Sequence, residues 1–117
     1  MTTATFDDLE HLGTGRMRSV YRLSLTDVIK VPLDVRGDLA NEQEARRWER
    51  FGTTDTIQYA ECAMFWFRGQ WVLLMEYVEP VLDQWPDGLP DWTDFVDCCQ
   101  VGYTLDGRLV AYDYADE

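Results

Sequence analysis

The chain is predicted to fold as an α+β protein, a mostly antiparallel sheet of about five strands with one main helix and a C-terminal β-hairpin. Three observations carry this expectation. Two pairs of apolar, β-branched segments flank short turns, one stretch from residue 38 to 51 has helical character, and Asp106-Gly107 stands between two further alternating segments. Strands that follow one another through tight turns pair antiparallel, because a parallel pair needs a crossover of about a dozen residues or more.

Residues 1 to 10 are polar and acidic and are expected to form a frayed start or a short N-terminal strand. From His11 the pattern changes. Gly13 and Gly15 mark a turn into Val20-Tyr21-Arg22-Leu23-Ser24-Leu25, Thr26-Asp27 reverses the chain, and Val28-Ile29-Lys30-Val31-Pro32 returns as the second strand of a hairpin. Pro32 and Gly37 close that unit. Asp38 to Phe51 then forms the helix, with Asp38 or Asn41 as its cap, Gly52 as its stop, and Leu39, Ala45, Trp48 and Phe51 as a partly apolar stripe.

Segments 58–67 and 70–78 are rich in aromatic and branched residues and flank Arg68-Gly69, so they form a second hairpin. Trp71 to Val78 is almost continuously apolar and belongs in the sheet interior. Residues 79–93 carry Pro80, Pro86, Pro90 and Gly88, which makes them a linker, and Asp91 to Cys98 suits a short helical turn. The segments around Leu105-Asp106-Gly107 form the last hairpin, since Asp-Gly between alternating residues is a strong turn signal. Trp48, Trp66, Trp71, Trp85 and Trp92 are expected as core and linker anchors, because no arginine-rich groove accompanies them as in a base-stacking platform.

With 117 residues and 46% apolar content the chain suits one domain, divided into a sheet and helix over 1–80, a linker over 81–99 and a hairpin over 100–117. No run approaches the ~20 apolar residues of a membrane span, and Asp7, Asp8 and Glu10 are foreign to a signal peptide, so a cytoplasmic protein is expected. Cys62, Cys98 and Cys99 are odd in number and two are adjacent, which disfavours a disulfide framework. One histidine, His11, far from them in sequence, leaves a zinc site short of ligands.

Ten basic against 22 acidic residues give a formal charge of −12, which excludes binding nucleic acid or an anionic membrane through a basic face. The balance suits a protein partner with a basic surface, and it leaves homo-oligomers open. Aspartate outnumbers glutamate and arginine outnumbers lysine, a bias that suggests a high-GC genome or a halophilic source, and a small acidic single domain suits a product of a virus or mobile element acting in its host.

The one lysine carries the functional argument. Lys30 lies in Val28-Ile29-Lys30, downstream of Gly13-Thr14-Gly15 and Val20-Tyr21, and a glutamate-bearing helix, an apolar strand ending in Met75-Glu76-Tyr77-Val78 and a hairpin ending in Asp113 follow it. This order resembles the protein-kinase and aminoglycoside-phosphotransferase superfamily over residues 11 to 80, with a second patch at 100 to 116. The resemblance implies a glycine loop (Gly13, Gly15 and Val20) over ATP phosphates, with Arg18 where the third glycine would stand. It implies that Lys30 holds the α- and β-phosphates and pairs with a helix glutamate, Glu42 as first choice or Glu44 as second. Only one of the two can face Lys30, because residues two apart on a helix point about 200° apart. It further implies that Glu76 and Val78 line an adenine-binding hinge and that Asp113 holds magnesium, Ala115 replacing the usual glycine.

Each residue type has a physical reason: phosphate charge wants a cation and backbone amides, and magnesium wants carboxylate oxygen. The chain departs from the pattern between Tyr77 and Gln100, where the family has a connecting helix and a His-Arg-Asp loop ending in asparagine. Asp94 or Asp97 would have to serve as base and Gln100 as second metal ligand, and glutamine is a poor magnesium ligand. The resulting expectation is a small kinase-like protein, catalytically inactive, that binds a protein partner or a nucleotide such as Mg-ATP. A minimal phosphotransferase or nucleotide hydrolase is the alternative, and an acidic DNA mimic is the second. Convergence of Lys30, Glu42 or Glu44, and Asp113 is the geometric criterion for the kinase-like reading.

Overall fold

The computed structural model describes residues 5–54, 56–81, 89–95 and 100–115. Five antiparallel strands, β1 (Glu10–Thr14), β2 (Arg18–Arg22), β3 (Asp27–Pro32), β4 (Cys62–Phe67) and β5 (Gln70–Glu76), form one sheet in the order β1-β2-β3-β5-β4. One helix, α1 (Val35–Phe51), packs on it, and β6 (Val78–Pro80), β7 (Val101–Thr104) and β8 (Leu109–Ala111) make a second, three-stranded sheet. The architecture is α+β, as the sequence pattern predicts.

Alternation sorts the first sheet into two faces. Val28, Cys62, Leu73 and Met75 meet Ala45 and Trp48 of α1 on one face. Ile29, Val31 and Val72 cover the other, where Phe6 closes the layer. From Thr5 onward the segment expected as a frayed start is held in place: Phe6 is 6% exposed, and Arg68 holds Asp8 through two 2.7 Å hydrogen bonds while also donating to the Thr5 carbonyl. Arg68 and Gly69, with φ of 53° and 82°, turn the β4–β5 hairpin, the double left-handed geometry that suits the right-handed twist of its strands. Trp66 and Trp71 pair across its tip with ring centroids 5.3 Å apart, and both are more than half exposed rather than core anchors.

Helix α1 starts three residues earlier than its composition implies. Asp34 is the cap, its side chain accepting from the Arg36 N–H at 2.9 Å, so neither Asp38 nor Asn41 plays that part. Gly37 sits inside the first turn because the carbonyl of Met17 and the backbone of Pro32 occupy the space of a Cβ. Leu39 and Phe51 are exposed, and the buried face consists of Gly37, Ala40, Asn41, Glu44 and Ala45. That face is narrow and partly polar, which sets two hydrogen-bonding side chains against the sheet.

The second sheet begins at Val78, the last residue of the expected strand, and continues into Glu79 and Pro80, inside the stretch expected as linker. Its β6 strand pairs with β7, and a 3-10 turn spans Asp91–Phe95. The β7–β8 hairpin forms around Gly107, at φ 88°, as the Asp-Gly signal requires. It is joined to the first sheet by a parallel bridge between Tyr59 and Ala111, with Ala60 N–H donating to the Ala111 carbonyl and Ala111 N–H to that of Gln58, both at 2.8 Å. Among the described residues no helix is long and apolar enough to cross a membrane.

Candidate functional site

Lys30 faces α1 because it alternates with Val28 on β3, and its 4% exposure would be costly without partners. It has them. The Lys30 Nζ donates to Glu44 Oε1 at 2.8 Å and to the Tyr112 carbonyl at 2.5 Å. Arg18 enters from β2, two residues before Val20 on the same strand face, and forks over the same carboxylate. Its Nη1 donates to Glu44 Oε1 at 2.7 Å and to Asn41 Oδ1 at 3.1 Å; its Nη2 donates to Glu44 Oε2 at 3.0 Å and to Asp113 Oδ1 at 2.7 Å. Glu44 Oε2 also accepts the backbone N–H groups of Tyr114 and Ala115 at 2.8 and 3.0 Å. Asn41 completes the cluster by donating to the Lys30 carbonyl at 3.0 Å.

Glu44 is fully buried with five donors on two oxygens. Burial pushes its carboxyl up, but the Lys30 charge and the Arg18 guanidinium outweigh that and hold it down at about 2. Asp113 goes the other way. Burial raises its carboxyl, and the nearby Glu44 charge adds to the rise against the opposing pull of Lys30 and Arg18. Burial also pushes the Cys62 thiol up, to about 11, with the Tyr114 hydroxyl 3.0 Å from its sulfur. The four charged groups, Lys30, Arg18, Glu44 and Asp113, sum to zero, as a buried cluster must nearly do.

Above this cluster lies a cleft of about 650 Å³. The β1–β2 turn, with Gly13 and Gly15, and Val20 form one wall; Met75, Glu76, Tyr77 and Val78 form the back; Ala111 to Ala115 and Gln100 form the opposite side. The register explains how the back wall offers polar groups. Val81 N–H donates to the Val101 carbonyl at 3.0 Å, so in this antiparallel ladder the next bonded pair is Glu79 with Tyr103, and Val78 opposite Thr104 is a non-bonded pair. The N–H and C=O of Val78 therefore point away from β7, off the free edge of the sheet.

Lys30, Gly13, Gly15, Val20, Glu76, Val78, Gln100 and Asp113 thus line one cleft, and Glu44 lies directly beneath it. Glu42, the first choice for the lysine's partner, does not converge: it is exposed on the far side of α1 and reaches Arg46 at 3.8 Å. Glu44 takes the position because the helix begins with Asp34 and rests its small residues, Gly37, Ala40 and Ala45, on the sheet, which turns Glu44 inward with them. The Glu76 carboxylate accepts from the Glu61 N–H and from Arg108, so it clasps the residue before β4 and the last hairpin. The backbone of Asp94 lies in the 3-10 turn, and Asp97 lies outside the described residues. Sequence reasoning placed Arg18 only where a third loop glycine would stand and Asn41 only as a possible helix cap, and brought neither into the cluster. The signal for Arg18 was its spacing of two from Val20 on a strand whose inward face leads to Lys30. Among the described residues no three His, Cys, Asp or Glu side chains are grouped to hold a metal ion.

No protein-family model, curated protein or solved structure matches this chain.

Proposed function

We propose that the protein binds an adenine nucleotide in this cleft and acts through binding, without transferring phosphate. The observation that carries the proposal is the Lys30–Glu44 pair at 2.8 Å, buried at the floor of a cleft walled by a glycine turn and backed by the unpaired edge of Val78. A lysine fixed in direction by a carboxylate suits a phosphate group, and a strand edge with an N–H and a C=O turned outward suits the donor–acceptor edge of adenine. The predominantly apolar flanks, Leu12, Val20, Val28 and Met75, suit a planar base.

Transfer is a poorer fit. Phosphoryl transfer depends on positioning and on a group that orients the nucleophile. Asp113 and Glu76 are the carboxylates lining the cleft among the described residues, and each already has a cationic partner. The acidic surface, at −12, favours a basic protein partner that responds to the nucleotide-bound form. The test is thermal unfolding with ATP, ADP and GTP, alongside a phosphate-release assay. A bound nucleotide at about 100 times its dissociation constant stabilises by roughly 2.7 kcal/mol. Stabilisation by ATP and ADP without phosphate release is expected; no stabilisation by any of the three sinks the reading. Phosphate release abolished by Asp113→Ala would favour the alternative, a minimal phosphotransferase or nucleotide hydrolase.

A further inference from the structure

We infer that Arg18 occupies the place on Asp113 that a divalent cation would need, so that the cleft takes its nucleotide without metal. The magnesium implied by the kinase-like resemblance does not fit the residues present. Asp113 Oδ1 is 2.7 Å from Arg18 Nη2, and the same nitrogen is 3.0 Å from Glu44 Oε2, so one guanidinium bridges the two carboxylates. Gln100, the other expected ligand, brings a neutral amide to the cleft.

Arg18 is no transient occupant. It is 7% exposed, a guanidinium stays charged at any pH the fold meets, and Asn41 and Glu44 fix its plane through three further hydrogen bonds. Magnesium requires about 2.0–2.1 Å to its oxygens and six ligands in an octahedron. Seating it on Asp113 Oδ1 would set a divalent charge against the guanidinium already bonded to that oxygen, and a cation on the other oxygen would still lie beside that fixed positive charge. Arg18 also lines the cleft, so it faces the region where phosphates lie beside Lys30. A guanidinium supplies one charge where the metal supplies two. The ligand that matches is a free nucleotide, and magnesium, by chelating that nucleotide in solution, weakens binding instead of promoting it.

This inference rests on the nucleotide reading for its ligand, but its cation assignment can be tested alone. Manganese binding to the full chain, followed by electron paramagnetic resonance, is expected to be the same in wild type and Asp113→Asn. Arg18→Met is expected to gain a manganese site that the double variant with Asp113→Asn loses. Wild type binding manganese tenfold or more tightly than Asp113→Asn overturns the assignment, as does a folded Arg18→Met that gains nothing. If Arg18→Met does not fold, the comparison of wild type with Asp113→Asn decides. In a second arm, ATP is expected to raise the melting temperature at least as much with chelator as with excess magnesium, and a shift that requires magnesium overturns the inference. No shift in either condition, with the manganese result intact, overturns the nucleotide reading and upholds the cation assignment.

Discussion

Replacing Glu44 by glutamine tests the buried cluster most directly, because shape is kept and only charge and one acceptor are lost. The amide nitrogen would have to face donors whichever way it turned, since Arg18 and Lys30 converge on Oε1 and Arg18, Tyr114 and Ala115 on Oε2. Breaking a buried ion pair by removing one partner costs about 3–5 kcal/mol. The ionisation of Glu44 points the same way, since Lys30 and Arg18 hold its carboxyl down at about 2 against the cost of burial. A chain of 117 residues holds about 6–18 kcal/mol at ~0.05–0.15 kcal/mol per residue, so the loss is a large share. Urea unfolding at neutral pH should therefore find Glu44→Gln less stable by about 3–5 kcal/mol. Glu42→Gln, which removes an exposed helical pair with Arg46, should cost only ~0.3–0.5 kcal/mol. A Glu44→Gln protein within 1 kcal/mol of wild type, or an equal effect at Glu42, would refute the account of the cluster.

The pH dependence follows from the same residue. Its folded-state value lies below the unfolded one, so its stabilisation is complete above about 4.5 and is lost as pH falls towards about 2. Asp113, raised in the folded state, works oppositely and loses its contribution as pH rises through its folded value, so acid unfolding of Glu44→Gln in an Asp113→Asn background should be flatter in that window than Asp113→Asn alone. Gly102→Ala should destabilise by about 1–3 kcal/mol in urea, because the new Cβ would meet the Glu79 carbonyl, its carbon 2.8 Å away, where backbone cannot yield. Gly13→Ala, with nothing within 4 Å, should unfold like wild type. Phe6→Ala should cost about 3–5 kcal/mol, which an N-terminal segment without a place in the core would not show. In a Cys98→Ser, Cys99→Ser background, Cys62 should resist alkylation at pH 8 until denaturant is added, since a buried thiol pushed to about 11 is only about one thousandth ionised there.

Local chemistry made much of this fold legible. The hairpins at Arg68-Gly69 and Asp106-Gly107 follow from Gly69 and Gly107, which take a positive φ freely, and the structure has them where the sequence puts them. The helix start was harder. Gly37 reads as a breaker, and only the approach of Met17 and Pro32 to its backbone explains a glycine inside the first turn. The choice between Glu42 and Glu44 hung on that start, because rotation about the helix axis follows from which small residues touch the sheet. Strand β6 hid among prolines, since Pro80 is tolerated on an edge strand that needs no donor there. Arg18 stood in the sequence as a missing glycine, and its spacing from Val20 gave its strand face but not its partner Asp113. Its bond to Asp113 spans 95 positions, a distance over which no pattern of neighbours carries information.

That separation bears on how the chain is made. While the ribosome has delivered α1 but not residues 112–115, Glu44 has Lys30 and Arg18 to meet but lacks the two amides of Tyr114 and Ala115, and Lys30 lacks the carbonyl of Tyr112. The first sheet and the helix would then enclose a cluster with one carboxylate against two cations. Docking of the β7–β8 hairpin brings Asp113 and balances the charge, so the final tightening of the core should coincide with closure of the loop of 95 positions between Arg18 and Asp113. Refolding should show this as a late, slow gain in protection at Glu44's neighbours, after the β4–β5 hairpin has formed.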